Sequence, residues 1–335
     1  MKVDAGLNAT LAQVPDAIRA LEAQGYDAAI TTETGHDPFL PLLIAAEHSR
    51  RIGLMTSIAV AFARNPATTA MVAHDLNAYS RGRFILGLGS QIKPHITKRF
   101  SMPWSKPAAR MREFVLALRA IWDNWYHGRP LDFRGEFYTH TLMTPMFTPT
   151  DTEHGAPQVV LAAVGPLMTE TAGEVADGVI AHAFTTRRYL EETTIPALER
   201  GLARAGRPRA DFEICYPGFV VTGSDEESFA RSRTAICKQI AFYGSTPAYR
   251  PVLETHGWGE LQSELNAMSK RGLWDEMGTL ITEEMLHEFA IVGEPGEISP
   301  KMLERFGTLV DRLALNLPFL SEEDRARVAA SLRSP

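Results

Sequence analysis

Cysteine is almost missing from this chain of 335 residues, which contains only Cys215 and Cys237. Two are too few for a disulfide framework, and they stand too far apart for a CxxC redox or zinc motif. They read as reduced thiols of a buried core. Long apolar runs are missing as well: none approaches the roughly 20 residues needed to cross a bilayer. Met1-Lys2-Val3-Asp4-Ala5-Gly6 reads as a strand and not as the charged start of a secretion signal. A cytoplasmic protein with no membrane partner is expected. A basic excess is also lacking, since 34 Lys and Arg face 40 Asp and Glu for a formal net charge of -6. Nucleic acid, which requires a basic face, is therefore not an expected partner. No low-complexity or Ser/Gly-rich linker divides the chain, so one domain over 1–335 is expected.

What is present is the composition of a globular enzyme, 45% hydrophobic and 22% charged. Short apolar runs alternate with longer amphipathic segments, the pattern of βα units around a parallel sheet. The pattern predicts strands over Lys2 to Gly6, Tyr26 to Thr32, Ile52 to Val60, Arg83 to Leu88, Gln158 to Ala163, Gly178 to Ala183, Phe212 to Thr222 and Val310 to Leu315. Eight strands with helices between them predict an α/β fold closed as a (β/α)8 TIM barrel. Residues 244–306 are too long and too helical for one crossover and predict a helical insertion before the eighth strand. Within it, Tyr249, Trp258, Trp274 and the Met268, Met277, Met285 series suit either an apolar pocket or the buried face of the insertion.

Two rival architectures fail on context. A dinucleotide fold needs a glycine-rich turn running directly into a helix. Here Gly87-Leu88-Gly89 is followed by Ser90-Gln91-Ile92-Lys93-Pro94, which starts no helix and lacks the third glycine. A metal-dependent barrel hydrolase needs His and carboxylate ligands clustered at strand ends. His182 has no obvious partner there, and no metal site is expected.

In a parallel barrel the chemistry belongs to residues just beyond each strand. After the second strand come Glu33-Thr34-Gly35-His36-Asp37, two carboxylates and an imidazole in five residues. Asp37 before Pro38 reads as a helix cap, whereas Glu33 and His36 are the acid/base candidates. After the fourth strand, Gly89 and Ser90 offer N–H groups and a hydroxyl to a phosphate. Lys93, His95, Lys98 and Arg99 follow as a basic run, either a solvated loop or an anion site. After the fifth, Val164-Gly165-Pro166 opens a helix whose N-terminus is either a plain turn or a second anion site.

Three segments stand out in order and spacing: Gly53-Leu54-Met55-Thr56-Ser57-Ile58-Ala59-Val60 with Arg64-Asn65-Pro66, then Arg81 to Ser90, then Gly173-Glu174-Val175-Ala176-Asp177-Gly178-Val179. Together they resemble the luciferase-like superfamily of monooxygenases and F420-dependent dehydrogenases. The likeness extends over most of the chain. Glu33-Thr34-x-His36-Asp37-Pro38-Phe39 and Gly89-Ser90-Gln91-Ile92-Lys93 look most like its actinobacterial F420-dependent branch. The resemblance implies coenzyme F420 as cofactor, with FMN as the alternative. It implies a bulge with a non-prolyl cis peptide at Ser57-Ile58 behind the central ring, and Ala59 and Val60 lining the same ring face. It implies Gly89, Ser90, Gln91, Val164 and Gly165 around the phosphate, and Lys93 and Arg99 as partners of the acidic tail. The family's acid/base positions, often an adjacent Asp-His pair, fall here on Glu33-Thr34 with His36 displaced.

The expected activity is hydride transfer between F420 and a small organic substrate, in a homodimer. The alternatives are an FMN monooxygenase served by a separate reductase, and a non-catalytic flavin or deazaflavin carrier. A Lys Schiff-base aldolase on the same barrel would need a lysine at a strand end, and no predicted strand ends in one.

Overall fold

A computed structural model describes residues 1–333. Eight strands form the barrel: β1 (Lys2–Gly6), β2 (Ala28–Thr31), β3 (Gly53–Thr56), β4 (Phe84–Gly89), β5 (Gln158–Ala163), β6 (Gly178–Ala181), β7 (Glu213–Tyr216) and β8 (Arg312–Leu315). They pair in the order β3-β2-β1-β8-β7-β6-β5-β4. Pairing of Leu54 with Phe84 and Met55 with Ile85 joins β3 to β4 and closes the ring. Every barrel pairing is parallel, as eight βα repeats require.

Strand residues alternate between the two sides of the barrel wall. Leu54, Val159, Leu161, Val179 and Ile214 pack outward into the main core beneath the helices. Met55, Val160, Ile180 and Cys215 point inward and plug the barrel. Below the plug, Arg312 donates from Nη1 to Asp4 Oδ1 at 2.5 Å, and its Nε lies 3.3 Å from Glu213 Oε2. Burial pushes the Asp4 carboxyl up to about 7, against the pull of Arg312. Both cysteines are free and buried. Among the described residues no helix is long and apolar enough to cross a membrane.

Two strands depart from the continuous runs expected of them. The third stops at Thr56 and resumes its pairing with β4 only at Ala59–Val60, across a cis peptide between Ser57 and Ile58. The seventh breaks at Pro217-Gly218, where proline supplies no N–H to the ladder. Its second half, Phe219–Val221, leaves the barrel and pairs in parallel with Ala290–Val292.

That side pair alters the reading of residues 244–306. Helix Pro295–Phe306 is the ordinary barrel helix before β8, and its Ile298, Met302 and Phe306 join the main core. The segment before it, together with Cys237, Ile240 and Ala241 of helix Glu226–Gly244, builds a second core around Phe184, Tyr189, Phe219, Leu265 and Phe289. Met277 is buried there, with Tyr249, Trp258, Met268 and Met285 packed against it, so these residues mainly form the buried face of the extra helices. Trp274 is half exposed, at 49%.

Candidate active site

The carboxyl ends of the eight strands surround an open mouth. On four strands the inward residue above the plug is small: Gly6 on β1, Gly89 on β4, Ala162 on β5 and Ala314 on β8. Ile30 and Ile58 complete the tier. Gly6 is exposed, and Ile30, Ile58, Ala162 and Ala314 are half-buried although they point inward. Inward residues with accessible surface leave space above the plug, a shelf at the mouth. Two glycines are sterically required to build it. A Cβ on Gly87 would stand 1.7 Å from the Thr56 carbonyl oxygen, and one on Gly89 would stand 2.8 Å from Ile58 Cδ1. The Thr56 hydroxyl uses the first close approach, donating to Gly87 O at 2.8 Å and accepting from Gly87 N at 2.9 Å.

The bulge after β3 is clamped from β2. Glu33 Oε2 accepts from Val60 N at 2.7 Å and from Arg64 Nη1 at 2.6 Å, while Glu33 N donates to Ile58 O at 3.3 Å. Arg64 Nη1 also donates to Val60 O at 3.1 Å, and its guanidinium lies over the Phe39 ring at 5.3 Å. Arg64 is aimed by local sequence. Asn65 caps helix Pro66–Tyr79 by accepting from Ala67 N at 2.8 Å, and Pro66 occupies its first turn. Arg64 is therefore fixed one residue before a rigid helix start. The Glu33 side chain is only 8% exposed. Its carboxylate is engaged by two donors, whereas His36 is exposed at the rim. Asp37 Oδ1 accepts from Phe39 N and Leu40 N at 2.8 and 3.3 Å, the capping role its place before Pro38 suggests.

Ser57 and Ile58 are half-buried and reach the mouth, but Ala59 and Val60 have no exposed surface and back the bulge from within the core. The resemblance put these two on the ring face; here both are fully buried, Ala59 beside Leu88 and Val60 beside Gly89. Gly89 ends β4, and Ser90 and Gln91 follow it, with Gln91 in the left-handed region at φ 58. Lys93, Lys98 and Arg99 are exposed around a single π-helical turn, His95–Arg99. Arg99 Nη2 donates to the Thr34 carbonyl, so the basic turn closes over the loop that carries Glu33 and His36. On the neighbouring strand, Val164 is half-buried and Gly165 is the N-cap of helix Pro166–Val175, with no side chain capping it. A Cβ on Gly165 would meet nothing within 4 Å. The structure thus brings together the β2, β3, β4 and β5 ends.

The opposite wall carries a residue to which the sequence assigned no partner. His182, just beyond β6, accepts from Phe184 N through Nδ1 at 3.0 Å, and its Nε2 lies 3.4 Å from Tyr249 Oη. The Tyr243 and Tyr249 rings stand 4.5 and 4.7 Å from the imidazole. Burial pulls its pKa down to about 4, so it is neutral. Two surface grooves, of about 420 Å³ beside Phe242 and Trp274 and about 360 Å³ beside Lys301 and Arg305, share no lining residue with this mouth.

The family model described as luciferase-like monooxygenase matches residues 2–312. The chain belongs to that family. Within it, the chain is 54% identical over 333 residues to an uncharacterised protein of Mycobacterium tuberculosis, covering 99% of this chain and 97% of that one. It is 28% identical to the 5,10-methylenetetrahydromethanopterin reductase of Archaeoglobus fulgidus, over 86% of this chain and 84% of that one. Among solved structures, the coenzyme F420 dependent tetrahydromethanopterin reductase from Methanopyrus kandleri superposes with a TM-score of 0.79 at 21% identity, covering 99% and 96% of the two chains. That likeness is one of fold, the luciferase-like barrel.

Arg64 and His182 are the site residues whose roles sequence reading missed. Arg64 stood inside a family segment without an assigned partner. His182 carried the one usable signal, a histidine two residues beyond an inward-facing isoleucine.

Proposed function

We propose that this family member is an oxidoreductase that exchanges hydride between coenzyme F420 and a small organic substrate seated on the barrel mouth. The observation that carries this reading is a shelf of small residues beside a cationic turn. Lys93, Lys98 and Arg99 are exposed at the rim of a chain whose net charge is -6. A flat ring with an acidic tail complements both features. The F420-dependent fold neighbour and the methanopterin reductase relative support the same reading.

When bound, the deazaflavin supplies the carbon that gives or takes the hydride. The chain's own residues bind, orient and shield it. Ser57, Ile58 and Gly89 would hold the ring, with Ala59 and Val60 supporting them from behind. Ser90, Gln91, Val164 and Gly165 would surround the phosphate, and Lys93 and Arg99 the acidic tail. His36, exposed and next to this surface, moves the proton that accompanies the hydride. Glu33 acts through the bulge it clamps, as a positioning residue.

Fluorescence titration with F420 and with FMN tests the reading. Saturable F420 binding is expected, tighter than that of FMN and weakened by added salt. Lys93→Glu with Arg99→Glu should weaken it roughly tenfold. Absent F420 binding would overturn the proposal. Preferential FMN binding would replace it with a flavin-dependent oxygenase.

A further inference from the structure

The mouth has a second polar station, on the wall facing β2. Four steps separate β2 from β6 in the strand order, so the two stand opposite each other across the barrel. Gly178 and Ile180 of β6 point inward: a Cβ on Gly178 would press on Val160 Cγ1, and Ile180 belongs to the plug. His182 follows on the same inward face, one tier higher. It sits where the second core meets the mouth, against Tyr243 and Tyr249.

We propose that His182 and Tyr249 are a substrate-positioning pair that holds the oxygen of an uncharged carbonyl or hydroxyl compound. The inference rests on the hydride-transfer reading above and specifies what that mouth accepts. The hydrogen bonds determine the polarity of the pair. His182 Nδ1 accepts the Phe184 N–H, so the single proton of the neutral ring lies on Nε2. Nε2–H is directed at Tyr249 Oη. With its oxygen accepting from the imidazole, the Tyr249 hydroxyl has its own proton free to donate. Both side chains keep accessible surface. A carbonyl or hydroxyl oxygen accepts that proton as a hydrogen bond. A carboxylate or phosphate placed there would lose its water and meet rings and a neutral imidazole, an unfavourable exchange. Val164 and Tyr243, both only partly buried, supply the apolar surroundings for the rest of such a molecule.

The test uses the full chain and three six-carbon-ring probes: cyclohexanone, cyclohexanecarboxylate and cyclohexane. Binding is followed through the NMR signals of ¹³C-labelled histidine, with F420 affinity measured separately by fluorescence. Cyclohexanone is expected to shift the His182 signals, and cyclohexanecarboxylate is not. Tyr249→Phe, which keeps the ring and removes one oxygen, should weaken cyclohexanone binding roughly three- to tenfold. It should leave F420 affinity and the weak binding of cyclohexane unchanged, which a merely structural role would not do selectively. His182→Gln should weaken cyclohexanone in the same direction. Equal cyclohexanone affinity in wild type and Tyr249→Phe would overturn the proposal, as would unmoved His182 signals or preference for the carboxylate. Loss of F420 binding with the Tyr249 dependence intact would defeat the cofactor reading and leave this pair standing.

Discussion

Arg64 and Glu33, 2.6 Å apart, form a nearly buried ion pair whose carboxylate also takes the Val60 N–H. The pair joins the β2 loop to the segment after β3, so one contact holds both the bulge and the loop bearing His36. Breaking it by removing Arg64 would strand a carboxylate only 8% exposed. Arg64→Met is therefore expected to destabilise the protein by about 3 kcal/mol, the scale for an uncompensated buried charge. The midpoint of urea unfolding measures it. Because the bulge loosens, F420 affinity should fall as well.

His36 and Glu33 should separate in kinetics. His36→Ala is expected to slow oxidation of pre-reduced F420 by roughly 10²–10⁴-fold, the range for loss of an acid/base group. Its F420 affinity should stay unchanged, because the residue is exposed. Glu33→Gln should instead weaken F420 binding along with turnover. Single-turnover rates combined with fluorescence titration distinguish the two, and an unimpaired His36→Ala removes His36 from the proton step.

The glycines predict a contrast in stability. Gly87→Ala would drive a methyl group to 1.7 Å from the Thr56 carbonyl, at the seam that closes the barrel. A loss above about 4 kcal/mol, or insoluble protein, is expected. Gly165→Ala has open space and φ -83, so stability should change by less than about 0.5 kcal/mol. Thermal unfolding of both variants checks the difference.

Stability should carry a signature of His182. Its folded pKa of about 4 lies below the ordinary 6.5 because burial disfavours the imidazolium. Between those values the unfolded chain binds a proton that the folded chain does not. The native state is therefore fully favoured above about pH 6.5 and loses up to about 3 kcal/mol as pH falls to about 4. Asp4, raised to about 7, acts with the opposite sign over the same window. The comparison is thus between wild type and His182→Phe: the variant should lose less stability on acidification. Equal pH slopes in urea unfolding would contradict it.

Much of the architecture could be read from the chain. Alternation of short apolar runs with amphipathic segments located all eight strands, and Pro166 marks a helix start the structure contains. The break in the seventh strand had a local cause in Pro217. Its second half was less legible, because Phe219–Val221 pairs with Ala290–Val292, 71 residues on in the chain. Whether an apolar helix face serves the barrel or a second core leaves no local trace, as helix Glu226–Gly244 demonstrates.

The sequence by itself determined the barrel and the family, since periodicity, capping and turn chemistry act between residues a few positions apart. The tertiary structure decided which side chains are free to react. Glu33 is engaged by Arg64, 31 positions away, and His182 meets Tyr249 67 positions away. Such partnerships arise from the closing of the ring and the packing of the second core, and short-range pattern carries no record of either.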